Sequence, residues 1–170
     1  MDAILERRSV RKFNLEKKIS NEILVDLIRH GEAAGTARRQ KSREYIIIEN
    51  KDIIEQLSNI YVRSTMRVNE CNQIIAVIGK DPSTLPCAPF EATDLALASQ
   101  NIMLKAVEYG IGSCMLGTYP DPERLEKTKE VLKLKGNKFV FTFICLGYPK
   151  DENAFYDMQK FDENVISYLK

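Results

Sequence analysis

Apolar residues recur along this chain with two periods, and the switches between them divide it into elements. Ile23, Leu24, Leu27 and Ile28 fall on one helical face. Ser20 stands at the N-cap position before them, with Glu22 and Asp26 in the early turns, which predicts a helix. Ahead of it, Ile4 and Leu5 predict a short N-terminal helix. Behind it, "EAAGTARRQKSRE" breaks the pattern and reads as a loop, and the β-branched run "YIIIEN" reads as a strand. Ile53, Ile54, Leu57, Ile60 and Tyr61 return to helical spacing and predict a helix across residues 51–68.

"QIIAVIG" is apolar on both faces and predicts a central, buried strand. "DPSTLPCAP" carries Pro82, Pro86 and Pro89 and must be a loop. "FEATDLALASQNIMLKAVEYG" predicts a helix with almost no polar face, buried either in the core or in a subunit interface. "IGSCMLG" reads as a short strand or extended turn. In "DPERLEKTKEVLKL", proline in the first turn with acidic residues beside it is good helix-start chemistry. "KFVFTFICLGYP" is a second strand buried on both faces, ended by Gly147 and Pro149. The tail "DENAFYDMQKFDENVISYLK" has aromatics but weak periodicity, and is expected to be extended and to pack against something else. Four or five helices mixed with four strands predict one domain over residues 1–170: an α+β or three-layer sandwich around a sheet covered on both faces.

Composition adds exclusions. With 44% apolar and 29% charged residues, the chain is an ordinary globular one rather than a disordered one. Its formal net charge is +1, too little for a general nucleic-acid binder. Cys71, Cys87, Cys114 and Cys145 form no C-x-x-C pair and His30 is the single histidine, which argues against a zinc or iron–sulfur site. Four reduced, mostly buried thiols are expected, as in a cytoplasmic protein. "MDAILERRSV" has charges where a signal peptide needs an apolar run, and no apolar run is long enough to cross a bilayer.

Against that neutral background, "LERRSVRKF" places Arg7, Arg8, Arg11 and Lys12 around a serine. Arginines offer planar paired donors and serine a hydroxyl, a set suited to a small anion such as a phosphate; a solvated, charged helix end carries the same pattern. The chain has neither G-x-x-x-x-G-K nor G-x-G-x-x-G, so it is no nucleoside-triphosphatase or dinucleotide fold by motif.

Four segments taken in order, "ERRSVRKF", "SNEILVDLIRHGEAAGTARRQKSREYIII", "LALASQNIMLKAVEYGIGSCMLGTYPDPERL" and "FICLGYPKD" with "KFDENVISY", resemble the nitroreductase family of FMN-dependent flavoproteins across nearly the whole chain. The resemblance implies a three-layer sandwich with a mostly antiparallel central sheet, assembled as an intertwined homodimer with two FMN sites at the interface. It implies that Arg7 and Ser9 contact the FMN phosphate, that Arg8 lies by the ribityl chain or ring, and that Arg11 lies by N1 and the C2 carbonyl, with Arg67 as a second cation there. Met115, Leu116, Gly117 and Thr118 would run past the ring, a backbone N–H of Gly117 or Thr118 bonding N5 or O4, and Lys160 would reach the phosphate from the tail. The loop departs from the family: Gly35 and Thr36 replace Pro-Ser, Arg39 takes an Asn position, and Lys41, Ser42 and Arg43 replace Gln-Pro-Trp. Gly35, Thr36 and Ala37 would still reach a flavin through backbone, with Arg39 donating. The implied activity is ping-pong transfer from NADH or NADPH to a nitroaromatic or quinone, with no catalytic side chain. Dehalogenation, flavin fragmentation and non-catalytic redox sensing are alternatives on the same fold.

Overall fold

A computed structural model describes residues 2–62, 64, 68–157 and 160–169. Arg67 lies outside them. In chain order the elements are α1 (Ala3–Glu6), α2 (Asn21–Glu32), β1 (Arg43–Ile48), α3 (Lys51–Ile60), β2 (Gln73–Gly79), α4 (Glu91–Glu108), β3 (Gly112–Gly117), α5 (Pro122–Val131) and β4 (Phe139–Gly147). The strands form one sheet in the order β1-β2-β4-β3, antiparallel throughout, where a mostly antiparallel sheet was expected.

Local chemistry sets the helix ends. Ser20 accepts from the backbone of Ile23 at the start of α2, Asn50 from Asp52 and Ile53 at the start of α3, and Asp121 from Glu123 and Arg124 ahead of Pro122 in α5. Two boundaries differ from the sequence pattern. α3 stops at Ile60 rather than running to residue 68, because its apolar spacing ends at Tyr61, whose side chain turns into the core; Val62 already faces solvent. β1 begins at Arg43 rather than Tyr45, since the ladder extends to pair Arg43 with Gly79 and Glu44 with Ile78.

The alternation of β2 and β4 sends their side chains into two cores. Ile75, Val77, Ile144 and Leu146 meet Leu24 and Leu27 of α2 and Leu95, Ile102 and Ala106 of α4. Ile74, Ala76, Ile78, Phe143 and Cys145 meet Ile54, Leu57 and Tyr61 on the opposite face, with Val131 at the end of α5 packed against them. The result is helices, sheet, helices. Gly31 lets α2 and α4 cross closely, because a Cβ there would sit 2.8 Å from Ile102 Cγ1. All four cysteines are free thiols, three of them buried in the α3 face, as expected. No helix among the described residues is long and apolar enough to cross a membrane.

α4 buries more than its apolar positions. Glu91, in its first turn, is only 4% exposed, and its Oε1 has no hydrogen-bond partner among the described residues. Burial pushes its carboxyl up to about 7; the backbone N–H of Lys80 works against this, and the nearby Asp94 and Asp81 add to the rise. An acid raised in the folded state costs nothing below the unfolded value near 4.5 and costs progressively more up to about pH 7, because the native state holds the proton longer. Glu91→Gln is therefore expected to stabilise the protein by roughly 1–2 kcal/mol at pH 8 and by little at pH 5. Urea denaturation at the two pH values measures this, and equal gains at both would contradict it.

Candidate functional site

The basic segment is clamped across the ends of two strands. Asp2 caps α1 by accepting from Ile4 and Leu5, and the chain leaves the helix at Arg7 in extended form. Ser9 then bridges Ser113 in β3, Val10 N–H donating to the Ser113 carbonyl at 2.9 Å. Phe13 bridges Pro149 beyond β4, with Asn14 N–H on the Tyr148 carbonyl at 2.8 Å. Two glycines make the approach possible. A Cβ on Gly112 would stand 2.7 Å from Val10, and one on Gly147 would stand 2.9 Å from Phe13. Gly147 thus serves the packing of the segment as well as ending a strand.

The bridge at Ser113 fixes which backbone groups of β3 face outward. In an antiparallel pair, alternate residues turn both N–H and C=O away from the partner strand. The Ser113 carbonyl points out, to Val10, so Met115 and Gly117 point out as well. The same alternation places Cys114 and Leu116 against β4 and carries on to Thr118, whose N–H donates to the Phe141 carbonyl at 3.2 Å. No acceptor faces the N–H of Met115 or of Gly117 among the described residues. Met115 is 48% exposed, and nothing lies within 4 Å of where a Gly117 Cβ would be. Gly117 therefore leaves the sheet face beside its outward N–H open.

Two of the residues expected at the ring have their backbone groups engaged within the chain. Leu116 is buried in the α3-side core and pairs with Phe143 of β4. Thr118 is 1% exposed; its N–H is engaged by Phe141, its carbonyl accepts from Asp121, and its hydroxyl meets Tyr61 OH at 2.5 Å.

Beside this edge sits an unsatisfied cation. Arg8 donates through Nη1 to the carbonyls of Leu5 at 2.8 Å and Arg7 at 2.7 Å, and its guanidinium lies 4.9 Å from the centre of the Tyr156 ring. Its Nε and Nη2 are enclosed without an acceptor among the described residues, and so is the Ser113 hydroxyl. Arg8, Ser9, Arg11 and Lys12 line a cavity of about 280 Å³ with Asp151 and Tyr156. Arg11 braces the turn by donating to the Ser9 carbonyl at 3.1 Å, and its charge partly offsets the burial that pushes the Cys114 thiol up. Buried donors without acceptors are costly, and a cation that cannot lose its proton is the costliest; an oxygen-rich anion relieves both.

A model of the nitroreductase family matches residues 67–148. A protein of Archaeoglobus fulgidus provisionally named NADH dehydrogenase/NAD(P)H nitroreductase is 32% identical over 156 residues, covering 91% of this chain and 87% of that one. The chain belongs to the nitroreductase family. Among solved structures, a provisionally named NADH oxidase from Clostridium acetobutylicum superposes with a TM-score of 0.90 at 31% identity, over 99% of each chain. A provisionally named NADH dehydrogenase/NAD(P)H nitroreductase from Parabacteroides distasonis gives 0.87 at 27% identity, over 98% of this chain and 95% of that one.

The loop at residues 35–43 is held from α4. Asp94 accepts from Ala37 N–H at 3.0 Å, Gln40 Nε2 at 2.7 Å and Ser42 Oγ at 2.9 Å. Gln40 also accepts from Cys87 N–H, and Arg43 donates to the carbonyls of Gly31 and Ala34. Sequence reading passed over Asp94, Gln40 and this role of Arg43. One signal was available: Asp94 is an acid on the face of a helix otherwise too apolar to be exposed. Ala37 has its N–H engaged by Asp94. Thr36 is partly exposed, Gly35 is open, and Arg38 and Arg39 are exposed in the left-handed region with φ of 49° and 57°. Lys160 is exposed in the tail.

Gly112→Ala tests the clamp. Its Cβ collides with Val10, so the variant is expected to lose about 1–3 kcal/mol, with the loss confined to the segment that carries the arginines. Hydrogen exchange should rise at residues 9–14 before it rises in β2; a uniform rise would assign the glycine to the global core instead.

Proposed function

We propose that this chain is an FMN-dependent NAD(P)H oxidoreductase working by a ping-pong cycle. The observation that carries the reading is that Arg8 Nε and Nη2, and separately the Ser113 hydroxyl, are enclosed with no hydrogen-bond partner among the described residues. FMN joins a phosphate to a flat ring with acceptors along one edge, which matches a cationic cavity continued by outward N–H groups. Held there, FMN would supply hydride acceptance from a nicotinamide and electron delivery to a second substrate such as a nitroaromatic or quinone.

Arg7, Arg8 and Ser9 hold the phosphate and ribityl end, with the Ser113 hydroxyl donating to the same end. Arg11 supplies positive potential to the ring edge that gains negative charge on reduction. Gly117 N–H would donate to the opposite edge of the ring, and the exposed Met115 side chain would pack beside it. No side-chain acid is needed for hydride transfer. The tyrosines near these elements hold their protons firmly: burial pushes Tyr61 up to about 12, and burial with the bond to Glu32 pushes Tyr45 higher still.

The assembly we infer is a homodimer. Phe161, Val165, Tyr168 and Leu169 are 68–103% exposed along a tail with no regular structure beyond one short turn, and Phe90 and Leu97 of the α4 region are also exposed. Apolar side chains in such number on an extended segment have little to gain in water and much to gain on a second copy. A chain ended at Lys160 is expected to sediment as a monomer and to retain less FMN; an unchanged dimer would remove the tail from the interface.

Ser113→Ala separates a ligand site from a packing defect. Removing a hydroxyl that has no partner leaves the apoprotein as stable or slightly more stable, whereas FMN loses a hydrogen bond worth about 1 kcal/mol, roughly a fivefold rise in Kd. Thermal melts without flavin and fluorescence titration with FMN read the two effects. A wild-type protein that purifies colourless and takes up no added FMN would refute the assignment.

A further inference from the structure

Residues 35–42 read GTARRQKS, with three cations and no acid. Much of the surrounding structure is devoted to holding them. Asp94, 2% exposed, takes a backbone N–H just before the two arginines and two side-chain donors just after them. Gln40 is tied in both directions to the backbone of Cys87, donating to its carbonyl at 3.3 Å and accepting from its N–H at 3.0 Å. Between these fixed points Arg38 and Arg39 stand exposed in the left-handed region, with no ion pair or side-chain hydrogen bond among the described residues. Two consecutive side chains in that region are disfavoured, and such strain persists only where the surroundings over-determine it. The nearest acid before them, Glu32, is engaged elsewhere: it accepts from Tyr45 OH at 2.9 Å and lies 3.7 Å from Arg43 Nε. The loop thus holds two guanidinium groups out to solvent with no acid bonded to either.

The topology brings this pair to the end of the sheet toward which Gly117 runs. The register Arg43–Gly79–Phe139 marks that end, and β3 continues toward it through Tyr119, whose ring meets that of Phe139. The side of the sheet agrees as well. Cys114 and Leu116 belong to the α3-side core, so alternation turns Gly117 to the α4 side, where the loop is pinned. β1 and β3 are the outer strands of the four-stranded sheet. The start of β1 and the end of β3 therefore stand three strand spacings apart, about 14 Å across the sheet. An extended dinucleotide bridges such a distance, and a nicotinamide ring alone does not.

We propose that Arg38 and Arg39 receive the phosphate groups of the nicotinamide dinucleotide that delivers hydride, and so select a phosphorylated donor over a neutral one. The proposal rests on the flavin reading above and assigns the far end of the hydride donor to the loop. Arginine suits this task because its parallel N–H groups match two phosphate oxygens and its charge persists at every working pH. An exposed pair acts through attraction as well as direct bonding, and both weaken in salt. The pinning matters because a phosphate that meets a rigid turn does not have to order the loop first.

The test follows anaerobic reduction of the FMN-loaded full chain at the visible flavin band. The donors are NADPH, NADH and a benzyl dihydronicotinamide, which carries no phosphate. Arg38→Ala combined with Arg39→Ala is expected to raise the NADPH Kd about tenfold relative to that of the benzyl donor, and Glu at both positions to raise it further. Lys at both positions should restore most of the affinity. In wild type the NADPH Kd should climb with added salt, and the dependence should flatten in the alanine variant. A loss shared by NADPH and NADH places the pyrophosphate at the loop, and a loss confined to NADPH places the 2′-phosphate there; either upholds the proposal. An unchanged ratio of NADPH to benzyl-donor Kd overturns it. An equal loss with both donors overturns it too, because the loop would then support the flavin site rather than the dinucleotide. If the double alanine variant folds poorly, Arg38→Ala alone and the lysine pair decide by the same ratio. Wild-type protein that takes up no FMN overturns the flavin reading, and this proposal with it. Loaded protein that the benzyl donor reduces, with the ratio unaltered in the variants, overturns this proposal alone.

Discussion

β3 is an edge strand, and an edge strand must send half of its backbone groups away from the sheet. In this chain those groups meet three different fates within six residues. The Ser113 carbonyl is taken by the N-terminal segment, the Gly117 carbonyl by Arg124, and the N–H groups of Met115 and Gly117 by nothing in the described chain. The site follows from that division. The segment that covers the first part of the edge brings the arginines with it, and it can do so only because Gly112 and Gly147 leave no side chain in the way of Val10 and Phe13. The arginines and the uncovered N–H groups are thereby brought to the same sheet edge.

Most of the scaffold was legible because it is written in periodicity. The all-apolar runs "QIIAVIG" and "KFVFTFICLGYP" became the two central strands β2 and β4, and the polar caps at Ser20 and Asp121 became helix starts where they stood. The helix over residues 51–68 was overextended, since past Tyr61 the pattern holds no further apolar face and Tyr61 is drawn into the core instead. Within the candidate site, the arginines were legible as an excess of charge in a neutral chain. The division of labour at "MLGTY" was not. Whether Leu116, Gly117 or Thr118 presents a free N–H depends on which residues of β3 face β4, a register that involves Ser9 more than a hundred positions away in sequence. Arg124 was read only as part of a helix, because nothing in "DPERL" says that its third charged side chain turns back to the strand before it.

The loop at residues 35–43 shows one chemistry replaced by another. Where the resemblance led to Pro-Ser and Gln-Pro-Trp, this chain has small and charged residues, which carry little apolar surface to pin the loop. A buried carboxylate does the pinning here, Asp94 accepting one backbone and two side-chain donors from the loop. Multiple bonds to a charged acceptor inside a core are strong, and they explain how two consecutive residues, Arg38 and Arg39, are held in a backbone region that side chains disfavour. The cost lies one turn earlier on α4, where Glu91 shares the same enclosed end with no partner for one of its oxygens.

Glu91 and Arg8 make an instructive contrast. Among the described residues, the buried side-chain polar atoms without a hydrogen bond are Glu91 Oε1, two nitrogens of Arg8 and the Ser113 hydroxyl. A native chain leaves few such groups, and each calls for a physical reason. Glu91 has a way out within the protein: its raised proton affinity lets it lose its charge near neutral pH. Arg8 has none, because a guanidinium stays protonated under all conditions in which the fold exists. The Ser113 hydroxyl can turn, but it finds no acceptor in the described chain. Three of the four orphaned atoms thus lie on groups that flank one strand edge and cannot be relieved by titration. For the two Arg8 nitrogens, which can only donate, an acceptor is the one kind of partner that chemistry allows.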